Sequence, residues 1–382
     1  MSYSQMIDRV PVEALLKVMQ HASPDSVQAV LSRGRAVDLE DFAKLISPAA
    51  DGSLEWQASL AHDLTAKHFG KVIRLFAPLY LSNECINTCK YCGFSMRNRI
   101  PRITLPVSQV VDETHKLARQ GFRSLLLVAG EHPRHVSNGY VEECIRECLG
   151  LMPSIALEVG PMETEGYLPL VQAGCEGLIV YQETYHRECY RGLHTAGPKK
   201  NYDWRVDTPE RAYDAGFRRI GIGALLGLYD WRYEALMLAA HAQYLTRRCW
   251  KAQLSISFPR MRPAAGGFQV DLANVIRDRE MVRLVTAFRL LLPHASLVLS
   301  TRESPGFRDG MMRLGITQMS AGSSTEPGGY SSFDETVWKP SEASGGEQFA
   351  IADDRSPAEV AAMIRRSGYD PVWKDFDQSL VA

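Results

Sequence analysis

The 382-residue sequence lacks a marked excess of charge of either sign, since 43 basic side chains oppose 44 acidic ones. A balanced chain gives no electrostatic reason to expect a nucleic acid or a membrane surface as partner. No apolar run reaches transmembrane length, and the N-terminal stretch carries acids where a signal peptide would have an apolar core. We therefore expect a cytoplasmic protein with no nucleic-acid partner and no membrane partner.

Cysteine is scarce as well, with 8 residues in the chain and none after Cys249. In a reducing compartment, thiols stay free or bind metal instead of forming disulfides. Five of the eight lack a metal-binding spacing, and we interpret them as small apolar groups. The other three, Cys85, Cys89 and Cys92, form a C-x3-C-x2-C motif in a polar stretch.

This motif predicts an iron–sulfur site. A four-iron cluster is usually held by four thiolates, whereas this loop supplies three and no fourth cysteine follows closely. One iron would therefore stay open to bind a small molecule, which suits catalysis better than electron storage. A zinc site is one alternative, although the chain has no second C-x2-C pair. Three core cysteines are the other, although the segment is too polar for a core element.

The apolar pattern divides the chain into three segments. Residues 1–70 show helical spacing and are predicted to form an N-terminal helical extension. Residues 71–325 alternate short apolar runs with amphipathic stretches, which is typical of a parallel sheet covered by helices. Residues 326–382 are rich in glycine, serine, proline and acids, and we predict a C-terminal extension that covers the barrel.

Eight such strand–helix units predict an α/β fold, the (β/α)8 TIM-type barrel. A six-unit open barrel is the alternative, because the last two runs are the weakest. In these barrels the chemistry lies at the carboxyl ends of the strands, where the cysteine loop and several polar residues fall. The predicted strands are RLFAPLYLS, SLLLVAGE, IALEVGP, GLIVYQE, RIGIGALLG, LSISFPR, LVLSTRES and ITQMSAGS.

With its cysteine motif after a strand, the chain resembles the radical S-adenosylmethionine (SAM) superfamily. The blocks LLLVAGEH, VYQETYH, FPRMRP, LSTRESPGFRD and PVWKDFD further resemble the ThiH family of tyrosine lyases, the 2-iminoacetate synthases of thiamine biosynthesis. This likeness runs from about residue 70 to the C-terminus. It implies one [4Fe-4S] cluster and SAM as cofactors, with the cofactors supplying the difficult chemistry.

The resemblance also implies roles for residues at the predicted rim. The three motif cysteines match the ligands of the iron–sulfur cluster. The residues expected to contact SAM are Gly130, Glu131, Glu158, Gln182, Glu183 and Arg205.

The amino acid substrate, L-tyrosine, is expected beside Tyr80, Arg302 and Ser320. Arg302 is the candidate clamp for its carboxylate, because a guanidinium group matches a carboxylate in a bidentate pair. The alternative is that Arg302 pairs structurally with Glu303 or another acid.

The implied reaction cleaves the Cα–Cβ bond of tyrosine to 2-iminoacetate (dehydroglycine) and p-cresol, and converts SAM to 5′-deoxyadenosine and methionine. Expected partners are the thiazole synthase ThiG and a reductant such as flavodoxin or ferredoxin. A tryptophan lyase and a non-catalytic iron–sulfur electron carrier are alternatives. The hydrogenase-maturation lyase is disfavoured, because it needs a C-terminal cysteine motif and none follows Cys249.

Overall fold

The computed structural model describes residues 1–331 and 345–374. Its α-helices are α1 (Val12–Gln20), α2 (Pro24–Ser32), α3 (Leu39–Leu45), α4 (Leu54–Phe69), α5 (Val107–Arg119), α6 (Asn138–Leu149), α7 (Thr164–Gln172), α8 (Arg187–Leu193), α9 (Tyr202–Val206), α10 (Thr208–Ala215), α11 (Trp231–Arg248), α12 (Asp278–Leu291), α13 (Pro305–Met311) and α14 (Pro357–Arg366). Its β-strands are β1 (Val72–Ser82), β2 (Ser124–Ala129), β3 (Ser154–Glu158), β4 (Gly177–Glu183), β5 (Arg219–Ala224), β6 (Gln253–Ser257), β7 (Ser296–Leu299), β8 (Gln318–Ser320) and β9 (Asp370–Val372). Within this part of the chain, no helix combines the length and the apolar character needed to cross a membrane.

Strands β1 to β8 form a closed barrel in which every neighbouring pair is parallel. Closure comes from the first strand, which pairs with β2 on one side and with β8 on the other, where Phe76 lies opposite Ser320. The predicted (β/α)8 barrel is confirmed, and the six-unit open barrel is excluded. All eight predicted runs form strands.

The alternation of side chains along β1 shows how the barrel positions its site. Leu75, Ala77 and Leu79 are fully buried in the layer between the sheet and its outer helices. Phe76 and Tyr80 alternate with them and line the interior of the barrel. Successive side chains of a strand point to opposite faces, so both faces of a parallel strand are covered. Tyr80 therefore points into the lumen near the carboxyl end of its strand.

Three of the N-terminal helices, α1, α3 and α4, pack on the outside of the barrel against α11 and α12, and α2 packs against α3 and α4. The Ala36 amide donates to the Leu290 carbonyl at 3.1 Å, and the rings of Phe42 and Phe288 lie 4.9 Å apart. Gln57, fully buried, donates to the carbonyl of Arg283 at 3.0 Å. These helices share one hydrophobic core with the barrel. The division at residue 70 stays a prediction.

The C-terminal part is only partly irregular. Helix α14 begins at a Ser356 cap that accepts from the Glu359 amide, and it coincides with the helix predicted at PAEVAAMIRRSG. Strand β9 was not predicted, and it pairs with the first residues of β1. Residues 332–344 of the predicted tail and 375–382, with the end of the PVWKDFD block, lie outside the described residues. The extension 326–382 stays a prediction as a unit.

Candidate active site

The three motif cysteines lie in the loop that follows β1, at the carboxyl end of the barrel. Cys89 is buried, and Cys85 and Cys92 are half-buried. The loop is anchored to its neighbours by backbone hydrogen bonds, from Ile86 to Glu131 at 2.9 Å and from Lys90 to Leu193 at 3.1 Å. All three cysteines line one cavity of about 580 Å³, and no other cysteine of the chain lines it.

The chemistry of these thiols fits an iron–sulfur cluster. Burial raises the pKa of Cys89 to about 12 and that of Cys92 to about 11, even though the nearby Lys199 ammonium lowers both values. Without a bound cation both groups therefore stay protonated at neutral pH. Iron binds thiolates and displaces such protons. Three thiols on one cavity, one buried and two half-buried, thus match a cluster with three protein ligands and one open iron.

A glycine after β2 lets a second loop approach the cysteine loop closely. A Cβ atom at Gly130 would lie 2.3 Å from the carbonyl oxygen of Glu84 and 3.1 Å from the Cβ of Cys85, so only glycine fits. The next residue, Glu131, accepts a 2.6 Å hydrogen bond from the side-chain amide of Asn87. Gly130 and Glu131 both line the cysteine cavity. The structure therefore brings these two predicted SAM residues to the cysteines.

Glu183 ends β4 in a strained conformation, because its φ angle is 73° and it is not glycine. Its carboxylate pairs with Lys199 at 2.6 Å and with Arg205 at 3.5 Å. Burial opposes ionisation, but these two cations outweigh it and hold the pKa of Glu183 below its ordinary value. Arg205 also donates to the carbonyl of Tyr181 at 2.7 Å. The site thus holds an anion fixed between two cations beside the cysteines.

Glu158 ends β3 and lines both the cysteine cavity and the barrel lumen. Burial, together with the charge of Glu183, raises the pKa of Glu158 to about 7, and the opposing effect of Arg302 is smaller. Within the described residues its carboxyl group makes no hydrogen bond and no ion pair. A buried carboxyl without a partner is costly unless a ligand satisfies it. Glu158 is therefore a candidate contact for a ligand amino group.

The barrel lumen opens onto the cysteines through a larger cavity of about 1090 Å³. Its wall carries the three predicted substrate residues, Tyr80, Arg302 and Ser320. It shares six wall residues with the cysteine cavity, and so the two form one continuous space. The shared residues are Cys92, Val128, Glu158, Glu183, Lys199 and Gln348.

Arg302 is not engaged in the structural ion pair that was the alternative to its binding role. Glu303 pairs instead with Arg260, whose Nε lies 2.9 Å from both carboxylate oxygens. Arg302 stacks on Phe349, with its guanidinium carbon 3.3 Å from the ring centroid, and donates to the Arg260 carbonyl at 3.3 Å. Burial lowers the pKa of Arg302. Among the described residues no carboxylate pairs with it, which leaves it available to one on a ligand.

Ser320 and Tyr80 already have partners in the protein. The hydroxyl of Ser320 accepts from the Thr301 amide at 3.1 Å. The hydroxyl of Tyr80 donates to the side-chain oxygen of Gln348 at 2.8 Å, and burial raises its pKa well above the ordinary value. Both residues therefore line the lumen as ordered polar groups.

Gln182 is the one predicted site residue that the structure does not bring to either cavity wall. Tyr181 and Glu183 line the cavities, whereas Gln182 lies between them in the strand and is buried. Its amide atoms have no hydrogen-bond partner among the described residues. The pairing of β4 with β5 is irregular between Tyr181 and Glu183, which decides which of two adjacent polar residues reaches the ligand.

Several residues of the wall were not predicted from the sequence, among them Lys199, Gln348 and Phe349. Lys199 lies in a short 3-10 helix after α8 (Pro198–Lys200), and Gln348 and Phe349 lie in the C-terminal part. The Gly93 amide donates to the Gln348 carbonyl at 3.0 Å, so this C-terminal segment lies across the cysteine loop. None of these three positions carries a periodic or motif signal, since their place in the wall depends on long-range contacts.

Comparison with known proteins agrees with this geometry. The Radical SAM superfamily model matches residues 79–240, and the Biotin and Thiamin Synthesis associated domain matches residues 257–370. The 2-iminoacetate synthase of Escherichia coli (strain K12) is 43% identical over 342 residues, which cover 89% of this chain and 88% of that protein. The chain belongs to the 2-iminoacetate synthase family of radical SAM enzymes. The Salmonella typhimurium enzyme is similar at 42% identity, with the same coverage.

Among solved structures, the [FeFe]-hydrogenase maturase HydG from Carboxydothermus hydrogenoformans superposes with a TM-score of 0.86 at 33% identity, covering 98% of this chain and 85% of that one. Membership of this family makes the protein an enzyme that uses a [4Fe-4S] cluster and SAM.

Proposed function

We propose that the enzyme cleaves the Cα–Cβ bond of L-tyrosine to 2-iminoacetate and p-cresol, while SAM becomes 5′-deoxyadenosine and methionine. One observation carries the proposal. Arg302, whose guanidinium pairs with no carboxylate among the described residues, and Glu158, whose carboxyl group has no hydrogen-bond or ion-pair partner there, line one continuous space with the three-thiol loop. Arg302 can pair with the carboxylate of an amino acid substrate, and Glu158 with the amino group of SAM.

Cys85, Cys89 and Cys92 would hold the iron–sulfur cluster. When bound, the cluster and SAM supply the 5′-deoxyadenosyl radical that removes a hydrogen atom from the substrate. The SAM contacts that the cavity wall supports are Gly130, Glu131, Glu158, Glu183 and Arg205. Gln182 stays a sequence-based prediction without support from the cavity wall.

For tyrosine, Arg302 would bind the carboxylate, with its planar group held in place by Phe349. Ser320 lies near Thr301 on the same wall and can donate its hydroxyl proton to the substrate while it accepts from the Thr301 amide. Tyr80, fixed by Gln348, forms part of the wall around the side chain. Closure of this wall around bound ligands would exclude water from a reactive intermediate.

The product suggests its destination. An imine such as 2-iminoacetate hydrolyses readily, so we propose prompt transfer to the thiazole synthase ThiG for the thiazole moiety of thiamine. A flavodoxin or ferredoxin would deliver electrons, in a cytoplasmic setting that keeps the thiols reduced.

The test is an anaerobic assay of the cluster-loaded protein with dithionite, SAM and either tyrosine or tryptophan. We expect p-cresol and 5′-deoxyadenosine to form together with tyrosine, with little turnover of tryptophan. Tryptophan turnover without p-cresol formation would replace this proposal by a tryptophan lyase. Formation of neither product by protein with an intact, reducible cluster would favour an electron carrier.

A further inference from the structure

Two histidines and a glutamate that the proposed reaction does not use lie together on the carboxyl rim of the barrel. Glu84 immediately precedes the cysteine motif, and His132 and His135 lie in the turn after β2. One potential ligand atom from each of the three lies within 4.8 Å of the other two. Glu84 and His132 are half-buried, and His135 is exposed.

The protein itself leaves these side chains poorly satisfied. Among the described residues, the Glu84 carboxylate and the His135 ring make no hydrogen bond and no ion pair. His132 accepts only a weak bond, from the Arg134 amide to Nδ1 at 3.3 Å. The two imidazole rings meet edge to face, with centroids 4.5 Å apart. Three clustered donor groups are therefore free to serve a common ligand.

The backbone around these residues is well fixed. The Gly130 amide donates to the Ser82 carbonyl at 2.9 Å, and the Ile86 amide donates to the Glu131 carbonyl at 2.9 Å. The Val136 amide closes the histidine turn on the His132 carbonyl at 2.8 Å. Glu84 itself is held by its amide, which donates to the Ser82 hydroxyl at 3.1 Å. Two rigid loops thus present the three side chains to each other, with little ordering left for a ligand to impose.

We propose that Glu84, His132 and His135 form a second metal site, separate from the iron–sulfur cluster, that binds one divalent transition ion of the zinc class. Two imidazoles and one carboxylate suit Zn²⁺ and its neighbours, whereas Mg²⁺ and Ca²⁺ prefer all-oxygen sites. Ligand atoms about 2.1 Å from one ion lie roughly 3.0–3.5 Å apart. Side-chain rotations that move each ligand atom by about 1 Å would therefore complete the site. If the ion binds His132 Nδ1, it displaces the Arg134 amide from that atom. If it binds Nε2 instead, Nδ1 carries a proton and can no longer accept from this amide.

Such an ion would join the loop that carries the cluster ligands to the loop that carries Gly130 and Glu131. Because these loops also line the cysteine cavity, ion binding should stabilise this rim. Three protein ligands leave coordination positions open to water. The expected role is stabilisation of the cluster loop, and the site does not depend on the identity of the amino acid substrate.

The test titrates Zn²⁺ into cluster-loaded protein by calorimetry under argon, after removal of excess metal, with iron and sulfide content measured before and after. We expect one equivalent of Zn²⁺ per chain, no loss of iron, and a higher thermal unfolding temperature. Glu84→Gln, His132→Ala and His135→Ala should each weaken binding at least tenfold, since even loss of an outer-shell partner costs 10–100-fold. Co²⁺ bound at the same site should lack the charge-transfer absorption of thiolate ligation.

The matched control is His21→Ala, because His21 is an exposed histidine far from the rim in sequence, bonded to the carbonyl of Lys17 in its own helix. This variant should bind Zn²⁺ as the unmodified protein does. Three results would each overturn the proposal: no binding beyond the cluster, equal binding in all variants, or binding only as iron is lost. His135 is exposed, so folding of His135→Ala is expected to be normal and its result decisive.

Discussion

Both ends of the barrel carry buried charged side chains, but the partners of these side chains differ between the two ends. At the amino ends of the strands, Arg219 pairs with Glu176 at 2.6 Å and donates to Ser154 at 2.9 Å. Arg74 donates to Ser154 at 2.7 Å and to Ser124 at 3.1 Å. The charged groups at this end thus make ion pairs or hydrogen bonds with other side chains of the protein, around a cavity of about 660 Å³.

At the carboxyl ends of the strands Glu183 and Glu303 are paired, but two other charged groups, Glu158 and Arg302, have no ion-pair partner among the described residues. Both line the larger cavity, which also reaches Cys92 of the three-thiol loop. Leaving a buried polar group unsatisfied costs about 1–3 kcal/mol, so a chain retains it where a ligand will pair with it. The contrast indicates that the carboxyl end binds ligands and the amino end contributes to stability.

Substitution of the motif cysteines, at the carboxyl end, should have the largest effect on activity. Replacing Cys85, Cys89 or Cys92 by alanine removes a cluster ligand and should abolish formation of 5′-deoxyadenosine while the barrel stays folded. Cys175→Ala is the control, since that thiol donates to the Ile155 carbonyl at the opposite, amino end of the strands. Measurable SAM cleavage by all three motif variants would remove the motif from the cluster.

Arg302→Ala should raise the KM for tyrosine roughly 10–100-fold, the cost of about 1.5–3 kcal/mol for a hydrogen bond to a charged group. The Kd for SAM should change much less. Arg302→Lys should recover part of the loss, because lysine keeps the charge but not the planar fork. An unchanged tyrosine affinity in Arg302→Ala would remove this residue from the site.

The pH dependence of stability tests the state of Glu158 at the carboxyl end of the barrel, in protein free of cluster and SAM. Its pKa rises on folding from 4.5 to about 7, because of burial and the charge of Glu183. The favourable contribution of its neutral form is complete below pH 4.5 and is lost as the pH rises through 7. Urea unfolding should therefore show Glu158→Gln gaining about 3 kcal/mol on the unmodified protein between pH 4.5 and 8, at about 1.4 kcal/mol for each unit of pKa. Parallel stability curves for the two proteins would contradict this.

Two glutamates, one from each end, sharpen the comparison further. Glu183→Gln should weaken SAM binding about tenfold, or 1.4 kcal/mol, because Lys199 and Arg205 lose their shared anion. Glu176→Gln should lower the free energy of unfolding by about 1–3 kcal/mol through loss of the Arg219 pair, and leave SAM affinity unchanged. Equal effects of the two variants on SAM affinity, measured by titration, would remove the distinction between the ends.

The sequence predicted the eight barrel strands because parallel strands buried on both faces appear as short continuous apolar runs. It missed β9, a three-residue strand that contains Pro371 and has no apolar run. The cysteine motif located the rim, because all its ligands are local in sequence. Sequence patterns do not predict long-range contacts. An example is the hydrogen bond that Tyr80 donates to Gln348.

Adjacent polar residues are a second limit of sequence reasoning. Gln182 and Glu183 both end β4, yet only Glu183 lines the cavities. An irregular strand pairing and a positive φ angle at Glu183 direct its side chain to the lumen. Such a local irregularity leaves no signal in composition or periodicity. Strand ends could therefore be assigned to the rim, but not the exact residue that faces the ligand.

The claim that the carboxyl end of the barrel binds the cluster and SAM is tested most directly by electron paramagnetic resonance. The spectrum of the reduced, cluster-loaded protein is recorded before and after SAM is added. If the three-cysteine loop leaves one iron open in a cavity built for SAM, the spectrum should change when SAM binds, and Glu183→Gln should shift that change to higher SAM concentration. A spectrum that SAM leaves unaltered at full cluster content would contradict the account.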